Sequence, residues 1–600
     1  MSTHHERLVA LRDELYSIQL DGFIVPLTDE HMSEYVGDYA QRLGWLTGFG
    51  GSAGTAVVLA DKAAIFTDGR YTLQVREQVS ADDWDYVAVP AESVTDWLAD
   101  HVRPGARIGY DPWLHTRSSV EQLREVLADR DATLVAADRN PIDAIWTDRP
   151  APSHARIVVH PDTQAGASSA EKRAIIADWL GDKRADAVVL TALDSIAWTL
   201  NVRGADVDHT PVALAYAVVS ADGTTDLFVA PEKVDDAVHQ HLGNAVRLHD
   251  RAAFPAHLQS LADKRVAIDP ERAVTAVADA VEAGGGKVVW LRDPAVLAKA
   301  IKNQAEIAGH RAASARDGAA LTRFLRWAEI ECPRGGQTEL SAAAKLLAFR
   351  QETGLLLDSS FDTISATGAH GASPHYRVTE ESNAPIELGQ LFLVDSGGQY
   401  ADGTTDVTRV IPIGRPTDEM RDRFTRVLQG HIAIATAVFP DGTSGAQIDG
   451  FARRPLWEAG LDFGHGTGHG IGSYLAVHEG PQRIAAPNYP GGASLEPLRA
   501  GMMLSNEPGY YKAGEYGIRI ENLLLVEPRT IPGGDPERAM LGFETLTFAP
   551  IERDLIDSAL LTTGEQAWLN GYHARVLEVI GPQLDEDERR WLAAKCAPIA

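Results

Sequence analysis

The chain has 600 residues, of which 44% are hydrophobic and 23% charged, a globular composition in a chain too long for one core. The net charge of -29 argues against nucleic acid or an anionic membrane surface as a partner, and it can simply keep the chain soluble. Two cysteines cannot form a disulfide framework, and neither a secretory signal nor an apolar run of about 18 residues is found, so we expect a cytoplasmic protein.

The first third reads as a mixed α/β domain. A helical pattern in "ERLVALRDELYSIQL" precedes the short apolar strand "GFIVP", and "AGTAVVLADKAAIFTDG" predicts two strands joined by a turn at Asp61-Lys62. Proline and small polar residues then cluster in residues 148–161, which indicates a break in the chain. We therefore predict a first domain over residues 1–150.

The second third has the same order of elements. "EKRAIIADWLGDKRADAVVLTALDSIAWTLNVRG" predicts a helix, a strand and a segment centred on Trp198, much as Trp45 follows the first strand. This weak repeat predicts a second, related domain over residues 151–308. A long helical pattern at 300–329 leads into residues 309–600, where Gly, His, Asp and Glu concentrate between 360 and 525. We expect the chemistry in that region.

The stretch "FGHGTGHGIG" carries two histidines, His465 and His469, among glycines. Each glycine destabilises a helix by about 0.5–1 kcal/mol relative to alanine, so the four-residue spacing does not indicate a helical pair of ligands. A helical HExxH zinc site is excluded because no Glu follows His465. The glycines instead allow the backbone to press close to a ligand site, with one histidine on metal and the other facing substrate.

Four carboxylates stand at predicted strand ends or turns near these histidines. Asp395 ends the strand "LFLVD" and Asp406 begins the next one, so a hairpin-like return can bring them together. Each could instead cap a turn. Glu507 follows the strand "MMLSN", and Glu521 is predicted to lie inside the strand "GIRIENLLLV", where Arg519 shares its face and could form a structural pair with it.

Oxygen-rich ligands with a single histidine favour Mn²⁺ or a similar divalent ion over a structural zinc. Two ions about 3.5–4 Å apart would use all four carboxylates, because shared carboxylates offset the repulsion between the cations. The expected cofactor is therefore a pair of divalent ions, Mn²⁺ first, with Zn²⁺ or Co²⁺ as alternatives.

The motifs "DSGGQYADGTTDVTR", "HGTGHGIGSYLAVHEGP", "NEPGYY" and "GIRIENLLLV" resemble those of the dinuclear metallopeptidases with the pita-bread fold, and most closely the long, three-domain, cytosolic aminopeptidase P family. "LTDEHMSEY", "TDGRYTLQV" and "TALDSIAWTLNVRGADV" resemble the two N-terminal domains, and "ETLTFAPIERDLI" resembles the C-terminal tail, about 545–600. The resemblance implies an α/β architecture of two related creatinase-type N-terminal domains followed by a pita-bread catalytic domain, and a homodimer.

The resemblance also implies roles for individual residues. Asp395 and Glu521 would bridge the two ions and Asp406 would chelate one, while His469 and Glu507 would hold the other. The substrate side would comprise His375, His465, His478 and Arg70, although Arg70 could be structural. Arg519 would orient the ligand carboxylates.

The implied reaction removes the first residue from peptides whose second residue is proline. A hydroxide bridging the ions would attack the first carbonyl, His478 would stabilise the oxyanion, and Glu507 would carry a proton to the proline nitrogen. The α-amino group of the substrate would lie near Asp406. The alternatives are a prolidase acting on Xaa-Pro dipeptides, a metal-free creatinase-like hydrolase and a non-catalytic peptide-binding protein.

Overall fold

The computed structural model describes residues 3–488 and 492–599. The chain forms two compact units, Met1–Val296 and Leu297–Ala600. The boundary between them lies just before the long helical pattern at 300–329. Unit 1 contains both predicted N-terminal domains, and the domain boundaries at 150 and 308 stay a prediction.

The first half of unit 1 is a six-stranded sheet with helices on both faces. Its strands are β1 (Gly22–Pro26), β2 (Thr55–Leu59), β3 (Ala63–Thr67), β4 (Asp85–Ala88), β5 (Arg107–Tyr110) and β6 (Thr133–Ala136). Its helices are α1 (His4–Ser17), α2 (Arg42–Thr47), α3 (Gln74–Gln78), α4 (Val94–His101), α5 (Arg117–Ala128) and α6 (Pro141–Ile145). The order is β4-β3-β2-β1-β5-β6, and β2–β3 is the predicted hairpin.

Strand β1 explains why this sheet is covered on both sides. Phe23 packs in the same cluster as Leu8 of α1, whereas Ile24 packs with Trp97 of α4. Successive side chains of a strand point to opposite faces, so a fully apolar strand needs helices on each face.

The second half of unit 1 repeats this architecture. Its strands are β7 (Val158–Val159), β8 (Ala187–Leu190), β9 (Val202–Arg203), β10 (Ala215–Ser220), β11 (Thr225–Val229), β12 (Val246–His249), β13 (Arg265–Ile268) and β14 (Lys287–Trp290). Its helices are α7 (Asp162–Ala165), α8 (Ser169–Lys183), α9 (Leu193–Leu200), α10 (Asp236–Leu242), α11 (Phe254–Gln259) and α12 (Thr275–Ala283), and α13 (Pro294–Ala300) follows.

The repeat predicted from the two tryptophans is present in the topology. The second sheet has the order β12-β11-β10-β8-β13-β14. Its parallel and antiparallel pairs occur in the same sequence as in the first sheet. Trp45 lies in α2 and Trp198 in α9, the helices that follow β1 and β8.

Unit 2 opens with the long helix predicted from the sequence. Its helices are α14 (Gln304–Glu331), α15 (Glu339–Gln351), α16 (Asp418–Ala435), α17 (Gly445–Trp457), α18 (Thr563–Ile580) and α19 (Glu586–Lys595). A capping box between Asn303 and Glu306 begins α14, which satisfies backbone N–H groups that the helix itself cannot.

The strands of unit 2 form several small antiparallel sheets. They are β15 (Asp358–Ser359), β16 (Ile364–Thr367), β17 (Leu391–Ser396), β18 (Gly398–Tyr400), β19 (Gly403–Thr404), β20 (Val407–Pro412), β21 (Phe439–Pro440), β22 (Gly468–His469), β23 (Arg483–Ile484), β24 (Met503–Asn506), β25 (Gly509–Lys512), β26 (Tyr516–Arg519), β27 (Asn522–Arg529) and β28 (Met540–Thr545). Two of these sheets, β16-β17-β20 and β21-β28-β27-β24, frame the candidate site. Leu393 of β17, Val427 of α16 and Leu569 of α18 share one buried cluster behind the first of them.

Cys332 and Cys596 are buried free thiols. Within residues 3–488 and 492–599, no helix combines the length and the apolar character that a membrane span requires.

Candidate metal centre

The antiparallel pair β17–β20 brings Asp395 and Asp406 to one end of a sheet. Asp395 lies opposite Thr408, and Asp406 immediately precedes β20, so the hairpin-like return predicted from the sequence is confirmed. Both aspartates are buried. Gly397 begins the connection between the strands, and a Cβ there would lie 1.9 Å from the Thr405 carbonyl oxygen. The return therefore requires glycine at this position.

Glu507 and Glu521 flank a second antiparallel pair. Glu507 directly follows β24, as expected, and the last residue of β24 pairs with the first residue of β27. The prediction that Glu521 lies inside a strand is wrong: β26 ends at Arg519 and β27 begins at Asn522. The chain changes its pairing partner from β25 to β24 at this junction, and this change turns the Glu521 carboxyl toward the aspartates.

His469 lies in the two-residue strand β22. Its Nδ1 donates to the Gly470 carbonyl oxygen at 3.1 Å, a bond that leaves the ring's lone pair on Nε2. That Nε2 lies 3.5 Å from Asp406 Oδ2 and 3.5 Å from Glu507 Oε1. One ligand atom each from Asp406, His469 and Glu521 lies within 4.8 Å of the others, close enough to share a metal ion.

The glycines around His469 allow close contacts with neighbouring backbone, and their closeness to a bound ligand stays a prediction. A Cβ at Gly468 would lie 2.0 Å from the Ser505 carbonyl oxygen, and a Cβ at Gly470 would lie 2.0 Å from the Glu479 carbonyl oxygen. The close approach is therefore to neighbouring backbone, and it lets β22 run against β24 without intervening side chains. The absence of a helix over this stretch is confirmed.

The electrostatics of the cluster are unfavourable to four carboxylate charges. Burial, followed by the charge of Asp395, raises the pKa of Asp406 well above its ordinary value. Burial and the charge of Asp406 do the same to the pKa of Glu521. Burial also raises the pKa of Glu507, although the nearby Arg519 opposes the shift.

A divalent cation fits this set of donors. Among the described residues, the buried Oδ1 of Asp395 has no hydrogen-bond partner, and carboxylate oxygens with one imidazole are suitable ligands for Mn²⁺ and related ions. A cation would also offset the burial and the mutual repulsion that raise the pKa values of these carboxyls.

Arg519 forms its ion pair with Asp395, and not with Glu521 as the structural alternative from the sequence would have it. Its Nη2 lies 2.6 Å from Asp395 Oδ2, its Nε donates to Thr408 Oγ1 at 3.1 Å, and its Nη1 donates to the Tyr511 hydroxyl at 2.7 Å. Glu521 instead accepts a hydrogen bond from Thr408 Oγ1 at 2.7 Å. Arg519 ends β26 and so does not share a strand face with Glu521, which explains the difference.

The three predicted substrate histidines lie around this cluster. The ring of His478 is 4.2 Å from that of His469, and the ring of His375 is 6.4 Å from that of His478. His465 Nε2 lies 2.8 Å from the Tyr511 hydroxyl oxygen, while its Nδ1 donates to a backbone carbonyl. Burial raises the pKa of Tyr511 to about 12, so its hydroxyl stays protonated and can donate to His465.

Arg70 belongs to unit 1. Its Nη2 lies 2.7 Å from Asp68 Oδ2, and its Nη1 lies 3.7 Å from Glu34 Oε1. These local ion pairs are compatible with the structural alternative, and the role of Arg70 at substrate stays a prediction.

Sequence reasoning missed Arg409, a fully buried cation beside the cluster. Its guanidinium donates to the carbonyl oxygen of Glu521 at 2.7 Å and to the Tyr572 hydroxyl of α18 at 2.9 Å. A charged residue within the apolar strand "VTRVIP" was the available signal, because a buried charge needs partners.

Four family models match consecutive segments of the chain. Two models described as the Creatinase/Prolidase N-terminal domain match residues 7–145 and 148–306. Metallopeptidase family M24 matches residues 308–528, and the C-terminal region of peptidase M24 matches residues 539–599.

Individual proteins are similar over the full length. A probable Xaa-Pro aminopeptidase P of Laccaria bicolor is 43% identical, with 99% of this chain and 93% of that protein covered. Aminopeptidase P2 of Arabidopsis thaliana is 40% identical, with coverages of 99% and 88%. The crystal structure of an X-prolyl aminopeptidase from Caenorhabditis elegans, described as a cytosolic enzyme with a di-nuclear active site, matches with a TM-score of 0.94, 36% identity and complete coverage of both chains.

Proposed function

The chain belongs to metallopeptidase family M24, and on that premise we propose that it is a metal-dependent aminopeptidase that releases the N-terminal residue from peptides with proline in second position. The fold is the α/β architecture expected from the sequence, with two related creatinase-type domains preceding a pita-bread catalytic domain. The observation that carries the proposal is the buried cluster of carboxylates around His469, in a chain similar to aminopeptidases over its whole length.

The proposed ligands of two divalent ions are Asp395, Asp406, His469, Glu507 and Glu521. Mn²⁺ is the proposed ion, with Zn²⁺ and Co²⁺ as alternatives, since a carboxylate-rich set accepts all three. When bound, such ions lower the pKa of a water nucleophile and polarise the scissile carbonyl.

The proline nitrogen sets the main demand on the protein's own groups. As a tertiary amide it carries no N–H, so it must receive a proton as the bond breaks. Glu507 lies in the candidate cluster, its Oε1 3.5 Å from His469 Nε2, so its carboxyl group stands where such a proton is needed. Glu507 is therefore the proposed proton carrier.

The remaining groups bind and orient. His478, with its ring 4.2 Å from that of His469, is suited to donate a hydrogen bond to the oxygen that gains charge. Arg519 holds Asp395 directly and reaches His465 through Tyr511, so one cation organises a metal ligand and a substrate-side histidine. His375 and His465 are proposed to contact the substrate, whose α-amino group would lie near Asp406. Arg70 is also proposed to contact the substrate.

A prolidase is the second candidate function. The Xaa-Pro dipeptidase of Bacillus anthracis shares the fold, with a TM-score of 0.51 and 23% identity, but it covers only 64% of this chain. The curated aminopeptidases are matched over 99% of it, which favours the aminopeptidase. Retention of five candidate ligands argues against a metal-free hydrolase or a peptide-binding protein without activity.

We also propose a cytoplasmic homodimer with domains over residues 1–150, 151–308 and 309–600. The cytosolic description of the similar C. elegans enzyme supports the location, and the ends of the matched family segments support the boundaries. The homodimer rests on the family resemblance.

The test uses chelator-stripped protein with and without Mn²⁺ on Arg-Pro-Pro and Arg-Pro. We expect metal-dependent release of arginine from the tripeptide and little from the dipeptide; preference for the dipeptide would indicate a prolidase, and cleavage of neither with metal bound would refute a peptidase. His469→Gln should abolish activity, whereas His239→Gln, at an exposed histidine in unit 1, serves as the matched control.

A further inference from the structure

Glu339 is a fully buried carboxylate in the first turn of α15, outside the metal cluster. Its side chain accepts hydrogen bonds from the segment 367–384, which carries His375. The donors and their distances are Thr367 N (2.8 Å), His370 Nδ1 (2.8 Å), the Tyr376 hydroxyl (3.0 Å) and Ala384 N (3.0 Å). One side chain thus holds both ends and the middle of this segment.

The helix itself does not require this carboxylate. Thr338 is the N-cap of α15, and its side chain accepts from the backbone N–H of Ser341, whose side chain completes a capping box. The bonds made by Glu339 run to another part of the chain, between 28 and 45 residues away. Its role therefore lies in that segment.

The segment is also held from its other side. A Cβ at Gly517 in β26 would lie 1.6 Å from the Gly371 carbonyl oxygen, so the two backbones are in direct contact. The ring of Tyr376 stacks on that of His370 with centroids 4.5 Å apart. His375 directly precedes Tyr376, so these contacts determine where its imidazole stands, 6.4 Å from that of His478.

We infer that Glu339 is a positioning residue that fixes His375 for substrate binding, an inference that rests on the proposed function. A carboxylate suits this task because both of its oxygens accept hydrogen bonds and four donors converge on it. An amide of the same shape would turn an N–H₂ group toward two of those donors. Placement errors of about 1 Å can cost roughly 100-fold in rate, so a small displacement of this segment would reach the substrate.

The experiment is a double-mutant cycle on Mn²⁺-loaded protein with Arg-Pro-Pro. Glu339→Gln and His375→Ala should each lower kcat/KM, by roughly 10- to 100-fold. The double variant should be no worse than His375→Ala alone, because Glu339 acts through the position of His375. All variants should bind as much Mn²⁺ as the wild type, measured by titration of metal-free protein.

Hydrogen exchange supplies a readout that does not depend on activity. Glu339→Gln should speed amide exchange in residues 367–384 while α15 stays protected. Thr338→Ala is the matched control: it should lower the melting temperature through the lost cap but leave exchange in the segment and kcat/KM unchanged. Should Glu339→Gln fail to fold, Tyr376→Phe removes one of the four bonds, together with the bonds of this hydroxyl to Ser382 in the same segment. It should show the same non-additivity with His375→Ala.

Three results would each overturn the inference. They are multiplied losses of kcat/KM in the double variant, unchanged amide exchange in residues 367–384 of Glu339→Gln, and full activity of His375→Ala. Failure of the proposed function is distinguishable, because the wild type itself would then release no arginine from Arg-Pro-Pro, whether it cleaved Arg-Pro or neither peptide. The exchange data would still decide whether Glu339 holds the segment.

Discussion

Replacing Asp406 with asparagine should have opposite effects on the metal-free and the metal-loaded protein. Asp406 and Glu521 offer ligand atoms within 4.8 Å of each other in a buried site. In the metal-free protein this proximity is repulsive, and Asp406→Asn removes one of the charges while keeping the side-chain shape. With metal bound the same carboxylate is a ligand, and its loss should weaken binding.

The magnitude follows from that separation. Two unit charges 4.8 Å apart repel by about 3.5 kcal/mol at an effective dielectric constant of about 20. This value sets the scale of the gain expected for metal-free Asp406→Asn, and proton uptake by the wild type reduces that gain. At about 2 °C per kcal/mol, the whole of this repulsion corresponds to a rise of about 7 °C in the melting temperature.

The pH dependence has a definite sign. The folded pKa of Asp406 is raised above its ordinary value of 3.8. Between those two pKa values the folded chain binds more protons than the unfolded chain, so the metal-free wild type loses stability as pH rises through the window. The advantage of Asp406→Asn should therefore be larger at pH 8 than at pH 5, and absent below 3.8.

The assay is thermal and urea unfolding of both proteins at pH 5 and pH 8, after chelation and again with Mn²⁺. Bound metal should stabilise the wild type by about 2.7 kcal/mol per ion at a hundredfold excess over Kd, and the variant by less. Without metal the Asp406→Asn variant should be the more stable of the two proteins, and with Mn²⁺ the wild type should be the more stable. If metal-free Asp406→Asn were less stable than metal-free wild type at pH 8, repulsion between carboxylates would not control the stability of this cluster.

Three further substitutions probe the surroundings of the cluster in metal-free protein by urea unfolding and in titrations with Mn²⁺. Arg519→Met should lower the free energy of unfolding by about 3–5 kcal/mol, because the buried Asp395 carboxylate, 2.6 Å from Arg519, then lacks its cation. A loss under about 1 kcal/mol would contradict this reasoning. Tyr572→Phe should lower the free energy of unfolding by about 1–3 kcal/mol, because Arg409 loses the buried hydroxyl acceptor at 2.9 Å. Unchanged stability would show that this hydrogen bond is not needed. Gly468→Ala should abolish Mn²⁺-dependent stabilisation, because its Cβ would lie 2.0 Å from a carbonyl oxygen, whereas Gly181→Ala, with open space around it, should not.

Local patterns in the sequence predicted several elements of the fold, among them one that carries the site. Alternation, apolar runs and turn residues identified the β2–β3 hairpin, the helix α14 and the return between Asp395 and Asp406. Each of these depends on residues close in the chain, where backbone preference and side-chain period act directly. The family motifs added the role of each candidate ligand, because chemistry restricts which residue types can stand at those positions.

Contacts between distant parts of the chain were not accessible in the same way. Glu521 lies at a junction between strands because its neighbours change pairing partners, a property of the sheets rather than of the local sequence. Arg519 pairs with Asp395 across 124 residues, and Arg409 reaches Tyr572 across 163.

The sequence by itself determined which side chains were available and where strands, turns and the long helix begin, because those features depend on short-range sterics and on hydrophobic period. Only the tertiary structure decided which partners each buried cation meets and which carboxylate holds the His375 segment. Burial makes the difference: a buried charge or hydrogen-bonding group must find partners within about 3 Å, and packing alone decides which residues those are.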